Sequence, residues 1–209
     1  MVLNEYIIGE KSMKQIILAT KNKNKLVEVK AVLGNDYEVL SMEDIGIDVD
    51  VEENGTTFEE NATIKAEAIC KICGKPVMAD DSGLEIDYLD KKPGVLSARF
   101  LGHDTSYDIK NAKILEMLEG VPEEKRTARF VCSIAVAFPD RDTVVVRDTI
   151  EGIIGYESAG ENGFGYDPIF YVPELKKTTA QLSMEEKNKI SHRGKALVKM
   201  ANKLKDMNL

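Results

Sequence analysis

Two long β-rich runs, ARFVCSIAVAF (128–138) and TVVVRDTIEGIIG (143–155), restrict the fold more than any other feature of the chain. β-branched and aromatic side chains suit a pleated, half-buried surface. The residues between the runs carry the Pro and Asp that mark turns, so the pair predicts antiparallel hairpin neighbours. A lone ribbon cannot bury its own apolar faces, and other elements must cover it. The upstream stretch KQIILATKNKNKLVEVKAVLG supplies some of that cover. It predicts a buried strand over residues 15–19, a polar turn, and a helix on which Leu26, Val29, Val32 and Leu33 recur at helical spacing until Gly34 stops it. Strand–helix units joined to a hairpin predict an α/β or α+β chain built on a mixed sheet.

The remaining elements follow from local signals. A linker rich in acid precedes GTTFEENATIKAEAICKICGKP, where Thr57 and Glu60 form a capping box and Gly74-Lys75-Pro76 ends the helix. VMADDSGLEIDYL predicts a strand that is interrupted at Asp80-Asp81-Ser82-Gly83 and then resumes. A third helix is expected at about 106–118. In the tail, Ser183 and Glu186 repeat the capping box, and Ser191 is placed to cap a further helix. Residues 1–12 are expected to be an N-terminal extension and 13–209 a single domain.

Charge and composition exclude several classes. With 28 basic against 36 acidic residues the net charge is −8, which argues against a general nucleic-acid binder. No apolar run approaches membrane length, and the N-terminus lacks the charged and apolar regions of a secretory signal. Three cysteines in such a chain point to a reducing compartment, so the expectation is a cytoplasmic protein without membrane partners. Cys70 and Cys73 form a C-x-x-C inside a helix, with no second pair at zinc spacing. The charge is unevenly spread: residues 187–205 carry seven basic side chains and no acidic one, whereas 38–67 is strongly acidic.

Four short stretches carry potential chemistry. In LATKNKNKL the strand–turn–helix order brings free backbone N–H groups toward an anion, with Thr20 and Asn22 as neutral donors and Lys21, Lys23 and Lys25 as charges. It lacks the glycines of a Walker loop, and alone it equally describes a solvated, Lys-rich helix start. Asp81, if it faces Glu53, offers hard oxygen ligands suited to magnesium, although an acidic turn reads the same way. In EEKNKISHRGKAL a continuous helix would point Lys187 and His192 about 140° apart, and a break at Ser191 would let Lys187, His192 and Arg193 converge. GENGFGYDP sets two aromatics between glycines, an arrangement suited to a flat ligand. Together the four describe a nucleotide and its polyphosphate, whether hydrolysed or held by a regulator that never turns it over.

These stretches, with PGVLSARFLG, occur in an order that strongly resembles the inosine/xanthosine triphosphate pyrophosphatase family from about residue 16 to residue 197. The resemblance implies hydrolysis of ITP, dITP and XTP to the monophosphate and pyrophosphate with Mg2+. It implies an elongated, two-lobed α/β fold on a long mixed sheet with a central cleft, assembled as a homodimer. By position, Thr20, Lys21, Asn22, Lys23, Asn24 and Lys25 would hold phosphates. Glu53 and Asp81 would bind the metal, with Asp81 also the general base and Ser82 contacting substrate. Phe164, Gly165, Tyr166 and Asp167 would line the base and sugar pocket, completed by Lys187, His192 and Arg193. Two departures stand out: the first twelve residues have no counterpart, and Lys91-Lys92 replaces a glycine common before the Pro-Gly.

Overall fold

The expected hairpin forms, and a sheet grows from it. In the computed structural model, which describes residues 13–207, the elements are β1 (Lys14–Leu18), α1 (Lys23–Leu33), β2 (Tyr37–Ser41), α2 (Phe58–Cys73), β3 (Val77–Ile86), α3 (Tyr107–Met117), β4 (Thr127–Ala137), β5 (Val144–Ile154), β6 (Phe170–Val172), β7 (Lys177–Thr178), α4 (Met184–Ile190) and α5 (His192–Asp206). The strands form one sheet in the order β2-β1-β3-β4-β5-β6-β7. β1 runs parallel to β2 and β3, and every later pairing is antiparallel. This is the α/β architecture on a mixed sheet that the sequence predicts. The extension expected over residues 1–12 lies outside the described residues.

The two-residue period of β1 sorts its side chains between two helical layers. Ile16 and Leu18 pack with Met78 and Ile134 against Leu197, Met200 and Leu204 of α5 and Val29 and Leu33 of α1. Ile17 and Ala19 face the opposite layer, where Ala62, Ala66 and Ile69 of α2 cover Val77 and Ala79. Farther along β3 and the hairpin, Leu84, Ile86, Phe130 and Ile150 pack with Phe170 of β6, Ile114 of α3 and Leu118, which caps that helix. Each fully buried Leu or Ile in these layers contributes about 1.5–3 kcal/mol of apolar burial.

Two expectations are corrected. β3 is unbroken through Asp80-Asp81-Ser82-Gly83, because those residues lie opposite Ile134, Ser133, Cys132 and Val131 in the β4 ladder. Gly83 serves a close approach there: a Cβ would stand 2.4 Å from the Ser97 hydroxyl and 2.6 Å from the Gly94 carbonyl oxygen. The acidic stretch after Gly34 also contains β2, with Tyr37 and Val39 turned inward.

Candidate active site

The cleft opens at the N-terminus of α1. Asn22 caps that helix: its side-chain oxygen accepts the N–H of Asn24 at 2.9 Å and of Lys25 at 3.4 Å, while Thr20 Oγ1 accepts the Asn22 N–H at 3.1 Å. Asn22 and Lys25 line a cavity of about 260 Å³, and Asn24 lines a smaller adjoining one of about 200 Å³. Lys21 does not join them, being paired in solvent with Asp48 and Asp50 at 2.9 Å each. Thr20 and Lys23 line neither cavity.

Alternation along β3 divides its two aspartates. Asp81 faces the cavity with Glu53, and its carboxylate accepts the Asn61 amide at 3.0 Å. Burial, reinforced by the Glu53 charge, pushes the Asp81 carboxyl up to about 6, against the opposing pull of Asn61 and Lys65. Lys65, on the same face of α2 as Asn61, is bonded to Glu53 and lines the cavity. Asp80 points the other way and is buried beneath Lys25 (2.9 Å) and Arg193 (3.3 Å). Burial alone would raise the Asp80 carboxyl, but the charges of Lys25, Arg193 and Lys65 hold it well below the usual carboxylate range. Glu53 and Asp81 supply two hard oxygens, and among the described residues no group of three or more His, Cys, Asp or Glu side chains gathers for an ion. Such a donor set fits a cation that draws its other ligands from water and phosphate, as magnesium does.

The aromatic loop is shaped from within. Asp167 is buried and accepts the Phe164 N–H (2.8 Å), the Thr179 hydroxyl (2.7 Å) and the Lys187 ammonium (2.6 Å). Tyr166 is buried too and donates its hydroxyl to the Ser97 carbonyl at 2.8 Å. The polar ends of both side chains are bonded within the protein, and both residues line the cavity together with Phe164 and Gly165. Gly163 serves the same clamp, since a Cβ there would stand 2.2 Å from Asp167 Oδ2. Phe164 is left half-buried on the cavity wall, with Lys187 4.9 Å and Arg193 5.6 Å from its ring centroid.

Ser191 ends α4 and caps α5, its hydroxyl accepting the Gly194 N–H at 3.0 Å. That break brings Lys187, His192 and Arg193 into one cavity. Arg193 is almost fully employed, donating to Glu28 (2.5 Å), Asp80 (3.3 Å) and the Ser82 hydroxyl (2.9 Å). His192 stacks on Phe130 at 4.9 Å, and its buried Nδ1 has no partner among the described residues. Burial and the charges of Arg193 and Lys187 push the imidazole well below its ordinary pKa, so it is neutral at pH 7. Sequence reasoning missed Glu28, Asn61, Lys65 and Asp80. Helical spacing was the available signal for two of them: Glu28 lies three residues from Lys25, and Lys65 four from Asn61.

A long cleft that joins a capped helix N-terminus, an acidic pair, an aromatic loop and a histidine–arginine pair defines a mixed-sheet α/β protein built to hold an extended anionic ligand. The chain belongs to the Ham1 family, whose model matches residues 16–203. It is 52% identical over 191 residues to a dITP/XTP pyrophosphatase of Bacillus licheniformis, covering 90% of this chain and 97% of that one. To the dITP/XTP pyrophosphatase of Bacillus subtilis it is 49% identical over 193 residues, covering 92% and 98%. Among solved structures, the Ham1 protein of Staphylococcus aureus superposes with a TM-score of 0.85 at 44% identity, covering 93% of this chain and all of that one. A HAM1 protein from Coxiella burnetii gives 0.86 at 41% identity, with the same coverage.

Proposed function

We propose that the chain is a nucleoside-triphosphate diphosphatase that hydrolyses ITP, dITP and XTP to the monophosphate and pyrophosphate. The observation that carries this reading is Asp81: a buried carboxylate at the cavity wall, oriented by Asn61 and raised to about 6. A group of that basicity is ionised at neutral pH and still able to take a proton from an attacking water. In the reaction, water adds in line to the α-phosphorus while Asp81 orients and deprotonates it, and pyrophosphate departs. The capped end of α1 and Lys25 face the phosphates, and Lys65 holds Glu53 in place beside Asp81. Glu53 and Asp81 would hold Mg2+, which when bound neutralises phosphate charge.

Phe164 offers the purine a stacking face, and His192 Nδ1, buried and without a partner among the described residues, is placed to read its edge. Hypoxanthine and xanthine carry a keto oxygen where adenine carries an amino group, so a fixed polar partner discriminates between them. A cytoplasmic homodimer completes the proposal, and sedimentation equilibrium tests its stoichiometry. The decisive assay resolves products from ITP, XTP, GTP and ATP with and without Mg2+. Pyrophosphate release from ITP and XTP is expected, with Asp81→Asn lowering kcat by about 10²–10⁴ while still binding nucleotide. Retention of wild-type turnover by that variant would remove Asp81 from its role.

A further inference from the structure

One wall of the cleft has no assigned role. The turn Gly94–Arg99 runs from the acidic pair to the aromatic loop. At one end the Arg99 guanidinium donates to the Glu53 carbonyl at 3.1 Å, and two residues back the Ser97 carbonyl accepts the Tyr166 hydroxyl at 2.8 Å. α3 packs over both. Lys110, buried, donates to the Ala98 carbonyl at 2.7 Å, and Asn111 donates its amide to the Gly165 carbonyl at 3.1 Å. The buried Asn111 Oδ1 has no partner among the described residues, whereas the Ser97 hydroxyl is used, donating to the Gly94 carbonyl (2.6 Å) and accepting the Leu84 N–H (2.9 Å).

Among the hydroxyls of this wall, that of Tyr107 is the exception. Its ring lines the cavity, meets Tyr166 edge-on at 5.2 Å, and has the Lys110 ammonium 4.8 Å from its centroid. Its hydroxyl has no hydrogen-bond partner among the described residues. The ring is held by contacts on its carbon frame, and with the residue 37% exposed its polar end is not committed to the protein.

We propose that Tyr107 is a specificity-determining residue whose hydroxyl hydrogen-bonds a hydroxyl group of the substrate's pentose. The proposal rests on the reading of the cleft as a nucleoside triphosphate site. With phosphates at Lys25 and the acidic pair and the purine on Phe164, the sugar lies between. That is the span bridged by the wall from Glu53 to Gly165. Tyr107 contributes the one side-chain hydroxyl of that wall not already bonded within the described protein.

The test is steady-state pyrophosphate release by wild type and Tyr107→Phe, using ITP and its 2′-deoxy and 3′-deoxy forms. The substitution keeps the ring, the Tyr166 contact and the Lys110 contact, so a merely structural role predicts no change in any of the three. Loss of one neutral hydrogen bond is expected to raise KM for ITP about 3- to 10-fold with kcat unchanged. In wild type, one of the two deoxy analogues should show the same rise, and on that analogue the substitution should have no further effect. An equal effect on all three substrates, or none on any, would overturn the assignment while leaving the pyrophosphatase reading intact. Failure of the wild-type protein to release pyrophosphate from ITP would overturn that reading and the assignment with it.

Discussion

At the residue scale, Asp80 and Asp81 are neighbours in sequence with opposite electrostatics. Asp80 is buried against two cations and stays ionised, whereas Asp81 is buried with Glu53 nearby and is pushed up to about 6. A carboxyl whose folded pKa exceeds its unfolded value binds more protons in the native state between the two values, so stability falls as pH rises through that window. The ionised Asp81 therefore costs the metal-free fold stability at neutral pH, roughly 3 kcal/mol at most. Asp81→Asn removes that charge and keeps one side-chain oxygen to accept from Asn61, at the loss of the oxygen that accepts the Ser82 N–H. Thermal melts in EDTA should show the variant more stable than wild type by about 1–2 kcal/mol at pH 7. The gain should shrink toward nothing below about pH 4, where the wild-type carboxyl is protonated in both states. A variant less stable than wild type at pH 7 would mean that Asp81 is not strained by its burial.

At the element scale, the site depends on the junction of α4 and α5. Gly194 allows it: a Cβ there would stand 1.9 Å from the Asn188 backbone oxygen, which no side-chain rotation relieves. Gly194→Ala should push the two helices apart, costing about 1–3 kcal/mol and weakening nucleotide binding through the separation of Lys187 from His192. Denaturant melts and a binding titration check both effects, and intact affinity would show that the junction tolerates opening. That junction was legible in the sequence, because Ser183, Glu186 and Ser191 announce it within a few residues of chain. The capping box at Thr57 was legible for the same reason. β3 read as interrupted because its polar residues are held straight by a ladder with β4, some fifty residues on, which no local pattern reveals. The internal bonds of Tyr166 and Asp167 were not legible because their partners Ser97, Thr179 and Lys187 are likewise remote.

At the scale of the whole molecule, every lysine or arginine lining the main cavity is already paired with a carboxylate of the chain. Lys25 is paired with Asp80, Lys65 with Glu53, Lys187 with Asp167, and Arg193 with both Glu28 and Asp80. The chain as a whole carries −8. A cleft so balanced holds its cations in exact positions but has little surplus positive charge for a triphosphate bearing about four negative charges. The basic run of the tail therefore says less about phosphate affinity than its composition suggests, since several of its members answer carboxylates elsewhere. On the proposed reading the missing charge would arrive with the ligand, as Mg2+ that Glu53 and Asp81 would hold. Isothermal titration of a non-hydrolysable ITP analogue should accordingly show affinity falling at least about tenfold when Mg2+ is replaced by EDTA. The residual metal-free binding should then hold steady or strengthen as salt rises from about 50 to 300 mM, because screening relieves repulsion between like charges. Metal-free binding that weakened steeply with salt would show instead that the chain's own cations grip the phosphates, and that their carboxylate partners let go.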